Sequence, residues 1–281
     1  SPIALLNSLR FGPLSSTDNR YLFQGVVGGI SAYGNCIGVP DVGGELSFSP
    51  SYQGNPLVNA LCLGIVPTNA LISASAKTPG NLLVLVGAET GRDGIHGASG
   101  LASRTFEEGR EQRPAVQVGN PFMEKILIDA CLEVARAGLL EGMQDLGAAG
   151  LTSSALESAS RGETGLQLDV AKVPRREEGM SPYEVMLSES QERMLLFVSP
   201  ENLLEVQAIL DKWETPCSVI GQVQDGGMVR ILDNGIEAAL VPVDILTHPP
   251  LYDLAGSESQ RVAELQKYDL SSLPLPSPAP G

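Results

Sequence analysis

Residues 82–103, LLVLVGAETGRDGIHGASGLAS, change character half-way along. Leu82, Leu83, Val84, Leu85 and Val86 make a short continuous apolar run, the pattern of a buried strand, and Gly87 stops it. Beyond it the glycines Gly87, Gly91, Gly94, Gly97 and Gly100 space out a loop that carries Arg92, Asp93 and His96. Glycine permits positive φ and close backbone approach, and an acid, a base and an imidazole supply charge and proton chemistry, so this loop is a candidate ligand-binding segment. The same residues also suit a plain polar turn in which Arg92 and Asp93 pair with each other.

Working outward, a chain of 281 residues can bury a full core in one or two domains. With 43% hydrophobic residues and 31 glycines it reads as a loop-rich globular protein rather than a disordered one. A net charge of -15 argues against a nucleic-acid or anionic-membrane surface, which needs clustered Lys and Arg. A phosphate-bearing ligand would instead be held by glycine loops, helix N-termini or a metal ion. Cys36, Cys62, Cys131 and Cys217 lie far apart, mostly in apolar stretches and without CxxC spacing, which predicts reduced, buried cysteines of a cytoplasmic protein, not a zinc site or disulfide frame. No signal peptide opens the chain and no apolar run is long enough to span a bilayer. The chain starts in mid-strand without a methionine, and the expectation is a piece of something longer.

In chain order, residues 2–6 predict a strand, 12–17 a turn, and 19–32 a helix with Leu22, Val26 and Ile30 on one stripe and Asp18 as its cap. Residues 39–48 and 57–66 predict a pair of strands joined by a loop, and a domain boundary falls near Thr68. Residues 121–137 are the strongest helix: Phe122, Ile126, Leu127, Ala130, Cys131, Val134 and Ala135 share a stripe, Pro121 sits in the first turn, and Gly138 or Gly142 ends it. A second helix is expected from Thr152 or Ser153, a strand over 194–198, a third amphipathic helix over 200–213, and strands over 217–223 and 228–232 around Asp225-Gly226-Gly227. From His248 onward the composition is that of a linker, with a short charged helix near 258–266 and four prolines in 273–281. The pattern is α+β, with residues 1–68, 69–235 and 236–281 as first domain, second domain and linker.

Three stretches outside the glycine loop set polar groups beside glycines. Gln117, in AVQVGNPF, immediately precedes the long helix, whose free first-turn N–H groups favour an anion. Asp145, in QDLGAAGLTSS, ends a strand and is followed by glycines, small residues and a helix start, which suits Mg²⁺ with phosphate over the glycines. Glu189, Ser190 and Gln191, in MLSESQERMLLFV, stand directly before a buried strand, where side chains reach a cleft. Each is also open to a local reading: a helix-entry bond for Gln117, an Asx turn for Asp145, a strand-edge cluster for Ser188 to Gln191.

Taken together, PIALLNSLRFG (2–12), GNCIGVPDVGGE (34–45), NALCLGIV (59–66), TGRDGIHGAS (90–99), VQVGNPFMEKILIDACLE (116–133), QDLGAAGLTSS (144–154), VPRREEGMSPYEVMLSESQERML (173–195) and PCSVIGQV (216–223) resemble one family, in that family's order. It is the formylglycinamide ribonucleotide amidotransferases (phosphoribosylformylglycinamidine synthases), in their ammonia-using synthetase subunit. The resemblance covers about residues 2–250. Shorter relatives with the same two-domain architecture, such as aminoimidazole ribonucleotide synthetase, do not carry GRDGIHG and SESQERM together.

The resemblance implies the end of a first ATP-handling αβ domain, a complete second α/β domain of the aminoimidazole ribonucleotide synthetase-like superfamily, and a linker toward a missing second domain pair. It implies a ligase of purine biosynthesis: ATP activates the amide oxygen of formylglycinamide ribonucleotide, and ammonia from a glutaminase partner displaces the phosphate. Gln117, Glu189, Ser190 and Gln191 match substrate-binding residues, and Asp145 a Mg²⁺ ligand. His96 matches the family's GRDGIHG histidine as a loop-organising or ligand-facing residue. The family's catalytic histidine, ATP-binding lysine and second Mg²⁺ acid belong to motifs upstream of Pro2, so no catalytic residue is assigned here. Asn120 stands where the family usually has Asp, which weakens a charge-based role there. The alternatives are another small-molecule ATP enzyme of the superfamily, or a non-catalytic binding domain.

Overall fold

A computed structural model of the chain describes residues 1–95, 117–248, 251 and 253–272; His96, Gly97 and Gly100 therefore lie outside the described residues. The chain divides into two units, residues 1–248 and 249–281. In the second, the expected charged helix spans Gln260–Gln266, with the Ser259 hydroxyl accepting from Val262 N.

The first unit holds two sheets. In the smaller, β1 (Pro2–Phe11) is central, with β2 (Asp41–Phe48) parallel on one side and β3 (Leu57–Gly64) antiparallel on the other. The two strands expected to pair with each other thus both pair with β1. A parallel β1–β2 pair needs a crossover, and α1 (Thr17–Ile37) supplies it. The cap of α1 is Ser16 rather than Asp18, which lies in the first turn. Helix α1 covers the face of β1 that carries Leu9 and Phe11, whereas Val42, Leu46, Leu57, Leu61 and Leu63 of the outer strands are exposed.

The larger sheet has the order β10-β9-β6-β8-β4-β7-β5. Its strands are β4 (Leu82–Gly87), β5 (Leu140–Asp145), β6 (Gly165–Asp169), β7 (Arg193–Val198), β8 (Cys217–Gln224), β9 (Met228–Asp233) and β10 (Ile236–Pro242). All neighbours are antiparallel except β6 and β9. The apolar run of β4 is covered on both faces, as its lack of alternation predicts. Leu83 and Leu85 join a core with Leu195, Phe197 and α3 (Gly150–Gly162), while Val84 and Val86 join another with Leu196, Val198, α2 (Pro121–Arg136) and α5 (Leu203–Lys212). The expected α+β class is what the structure shows.

Several expectations change in detail. Helix α2 buries Leu127, Ala130, Cys131 and Val134, but Phe122 in its first turn is exposed. Helix α3 begins at Gly150, two residues ahead of Thr152. The strands β8 and β9 flank Asp225-Gly226-Gly227 without pairing, because β6 lies between them. The sheet also continues past residue 235: β10 pairs with β9, and the short α6 (Val243–Thr247) packs on α3, so the stretch expected to be linker opens with a strand of the core sheet. As an edge strand, β10 has no buried residue, and its apolar residues run on without alternating with polar ones, so period-two patterning does not mark it. All four cysteines are free, as expected, yet only Cys131 is buried; Cys62 is exposed on β3 and the other two are half-buried. No helix among the described residues is long and apolar enough to cross a membrane.

Candidate functional site

Antiparallel pairing brings the polar stretches to the same end of three neighbouring strands of the larger sheet. The exit of β4 and the exit of β5 both lie against the entry of β7, since Gly87 pairs with Arg193 and Asp145 with Met194. Residues 87–95 of the glycine loop, the Asp145 turn and the Glu189–Gln191 triplet therefore meet, although they are far apart in the chain.

The triplet is held from below. Ser190 is buried; its Oγ donates to Asp93 and accepts from Gly91 N at 2.9 Å. Ser188 Oγ donates to Gly91 O at 2.6 Å, and Glu189 N to Asp93 O at 2.8 Å. Beneath the turn, the buried Arg193 guanidinium donates to Thr90 Oγ1, Ser188 O and Ser190 O at 2.8, 2.6 and 2.9 Å. Burial pushes its pKa down to about 10, which leaves it charged at neutral pH. Arg92 and Asp93 do not pair with each other. Asp93 binds Arg176, and Arg92 binds Glu177 and Glu184, because segment 175–184 packs against the loop and offers both signs of charge.

Above this base the candidate ligand groups converge. Glu189 is almost fully buried; its Oε2 accepts from Gln117 Nε2 at 2.8 Å and its Oε1 from Ala149 N at 3.0 Å. Gln191 Nε2 donates to Gln117 Oε1 at 3.1 Å and to Glu189 O at 2.9 Å. Gln117 thus turns toward the triplet rather than capping α2. That cap is Asn120, whose Oδ1 accepts from Met123 N at 3.2 Å. Asn and Asp cap about equally well, so Asn120 keeps the local role without the charge.

Asp145 is exposed at the end of β5, its Oδ1 accepting from Gln144 Nε2 at 2.5 Å, and it lines a cleft of about 330 Å³ together with Gln191, Glu192 and Glu124. Burial and the neighbouring Glu192 raise the pKa of Glu124 above the usual carboxylate value. No cluster of three His, Cys, Asp or Glu side chains able to hold a metal occurs among the described residues. Asp145 can serve as one hard oxygen ligand of an ion whose other ligands are water and phosphate, the usual habit of Mg²⁺.

The sequence marked Ser188 only as part of a strand-edge cluster and did not single out Glu192, Arg193, Arg176 or Tyr33. Glu192 shows least in sequence, since its carboxylate accepts from Tyr33 Oη at 2.6 Å across 159 positions. A signal did exist for Arg193: a charged residue opening an otherwise apolar strand must be paired when buried.

The mixed sheet covered by helices on both faces, with a smaller sheet before it, defines a class. The description "AIR synthase related protein, N-terminal domain" matches residues 1–66, and "AIR synthase related protein, C-terminal domain" matches residues 78–234. The chain belongs to this AIR synthase related family. Within it, the chain is 57% identical to phosphoribosylformylglycinamidine synthase subunit PurL of Thermomicrobium roseum over 99% of its own length, and 51% identical to that of Moorella thermoacetica over 98%. It spans 38% of the length of each relative. Thermotoga maritima PurL complexed with FGAR superposes with a TM-score of 0.83 at 39% identity, covering 92% of this chain and 42% of that one. The same protein complexed with ATP gives 0.77 at 37%, covering 92% and 40%. Escherichia coli HypE, a hydrogenase maturation protein, shares the fold at a TM-score of 0.64 and 17% identity, covering 86% of this chain and 73% of that one.

Proposed function

We propose that this chain is the substrate- and metal-contacting part of a phosphoribosylformylglycinamidine synthase. The whole enzyme would convert formylglycinamide ribonucleotide, ATP and ammonia to formylglycinamidine ribonucleotide, ADP and phosphate. In that reaction the amide oxygen attacks the γ-phosphorus and ADP leaves; ammonia then adds to the activated carbon, phosphate departs and a proton is lost. The observation that carries the reading is the convergence of Gln117, Glu189 and Gln191 on a base that includes Ser190, beside a cleft that Gln191 shares with Asp145. Similarity to PurL proteins, one of them crystallised with FGAR and with ATP, supports it.

Each residue has a separate task in this reading. Gln117 and Gln191 are locked to each other, and among the described residues an amide oxygen on Gln191 and a second N–H on Gln117 take no partner and would orient the substrate. Buried Glu189 sets the pose of Gln117 and takes the Ala149 N–H at the start of α3. Asp145 would hold Mg²⁺, which when bound neutralises triphosphate charge. The N–H groups of Gly147 and Ala148 have no partner among the described residues and lie beside it, open to phosphate oxygens. Ammonia would come from a glutaminase partner, and a cytoplasmic setting fits the free cysteines.

The test is a pair of variants in the full-length enzyme. Gln117→Ala is expected to raise KM for formylglycinamide ribonucleotide about tenfold, the size of one hydrogen bond to a charged ligand. Asp145→Asn is expected to lower kcat at least about tenfold and to shift the Mg²⁺ dependence to higher concentration. Wild-type kinetics for Asp145→Asn would remove the metal assignment.

A further inference from the structure

Glu192 follows the triplet and is bound to no assigned ligand group, yet it is buried and holds a left-handed φ of 56°, a conformation that costs a non-glycine residue about 1 kcal/mol or more. Its carboxylate explains the placement. One oxygen, Oε1, accepts from Tyr33 Oη of α1 at 2.6 Å and from Asn120 N, at the start of α2, at 3.0 Å. Its carbonyl accepts from Ala88 N at 2.9 Å, at the exit of β4. A single residue thus joins α1, the approach to α2 and the strand that feeds the glycine loop.

The approach to α2 is residues 117–120, which have no regular structure of their own. Their course is fixed at one end by the Gln117 side chain on Glu189 and Gln191, and at the other by Asn120 N on Glu192. Tyr33 also packs against the backbone between these ends: a Cβ on Gly119 would fall 2.1 Å from Tyr33 Oη. The phenol is a neutral donor, and burial together with the Glu192 bond pushes its pKa upward, so it stays protonated through the neutral range. Without that hydroxyl, Glu192 loses a donor on the oxygen that anchors Asn120, and the backbone at Gly119 loses its stop.

Resting on the substrate role of Gln117, we propose that Tyr33 and Glu192 are positioning residues. They hold segment 117–120 so that Gln117 meets the triplet, and they make substrate affinity depend on how α1, from the smaller sheet, sits against α2. Neither residue touches substrate in this account.

The test uses the full-length enzyme with Tyr33→Phe, Gln117→Ala and the double variant. Tyr33→Phe is expected to raise KM for formylglycinamide ribonucleotide about five- to tenfold, the scale of one hydrogen bond, while kcat and the KM for ATP move less than about twofold. In the Gln117→Ala background the same change should add nothing further. Hydrogen exchange at amides 117–120, faster in Tyr33→Phe, reads the positioning independently of substrate. Unchanged exchange overturns the proposal, as does an equal KM effect in both backgrounds or a lower Tm with KM intact. Faster exchange combined with a Gln117→Ala variant of normal KM leaves the brace standing and overturns the substrate role of Gln117 instead.

Discussion

Gly150 opens α3 with φ +53°, and a Cβ there would sit 1.9 Å from Ser188 O, the carbonyl that accepts from buried Arg193. Gly138, after α2, has φ +72° but open space around its Cβ position. The pair separates two costs of replacing glycine. Gly138→Ala is expected to lose about 1 kcal/mol, the left-handed penalty alone. Gly150→Ala adds a backbone collision and should lose about 3 kcal/mol or more, read as a much larger fall in thermal midpoint. Equal losses would mean that Ser188 yields freely. The sequence marked Gly150 only as one of several small residues near a helix start; the carbonyl it must clear comes from 38 positions further along.

At the scale of elements, the described part of the glycine loop is tied through Arg92 to α4 (Pro182–Leu187) by charge. Ser181 and Glu184 form a capping box at the start of α4, and Arg92 joins Glu184 at 2.8 Å and Glu177 at 3.1 Å. Hydrogen bonds from the Ser181 backbone and from Arg92 hold the Glu184 carboxyl below its ordinary value of 4.5, and hydrogen bonds from Arg92 do the same for Glu177. A depressed folded-state pKa contributes stability that is present above the unfolded value and lost as pH falls through the folded one. Replacing Arg92 by Met should therefore lower the thermal midpoint at pH 7, and the gap to wild type should narrow as pH drops below about 4.5. A gap independent of pH would place the contribution of Arg92 in its neutral contacts, such as those to Glu178 O. The capping box was written in SPYE, but a six-residue helix carries too little periodicity to be read without it.

For the molecule as a whole, the roles proposed for Gln117, Asp145 and the 189–191 triplet are to orient substrate and hold metal, and the proposal gives none of them a proton transfer or the activation of ammonia. The 281-residue chain alone, given ATP, Mg²⁺, ammonia and formylglycinamide ribonucleotide, should release phosphate at background rate. Turnover above background would require a catalytic group within it. Completion by the rest of a longer enzyme is consistent with its 38% span of its relatives and with the apolar side chains exposed on β2 and β3.

What the sequence determined by itself was local and periodic: the apolar run of β4, the stripe of α2, the glycine punctuation, and strings such as GRDGIHG and SESQERM long enough to mark a family. Periodicity records which face of an element is buried, and a string records chemistry, so both survive without coordinates. Tertiary structure alone decided which strands are neighbours: that β2 and β3 flank β1, that β6 enters between β8 and β9, and that β10 extends the sheet. It also decided that Asp93 takes Arg176 instead of Arg92, and that Glu192 reaches Tyr33. Strand order and long-range ion pairs depend on backbone hydrogen bonds and charges brought together from distant positions, and one-dimensional spacing carries no measure of that distance.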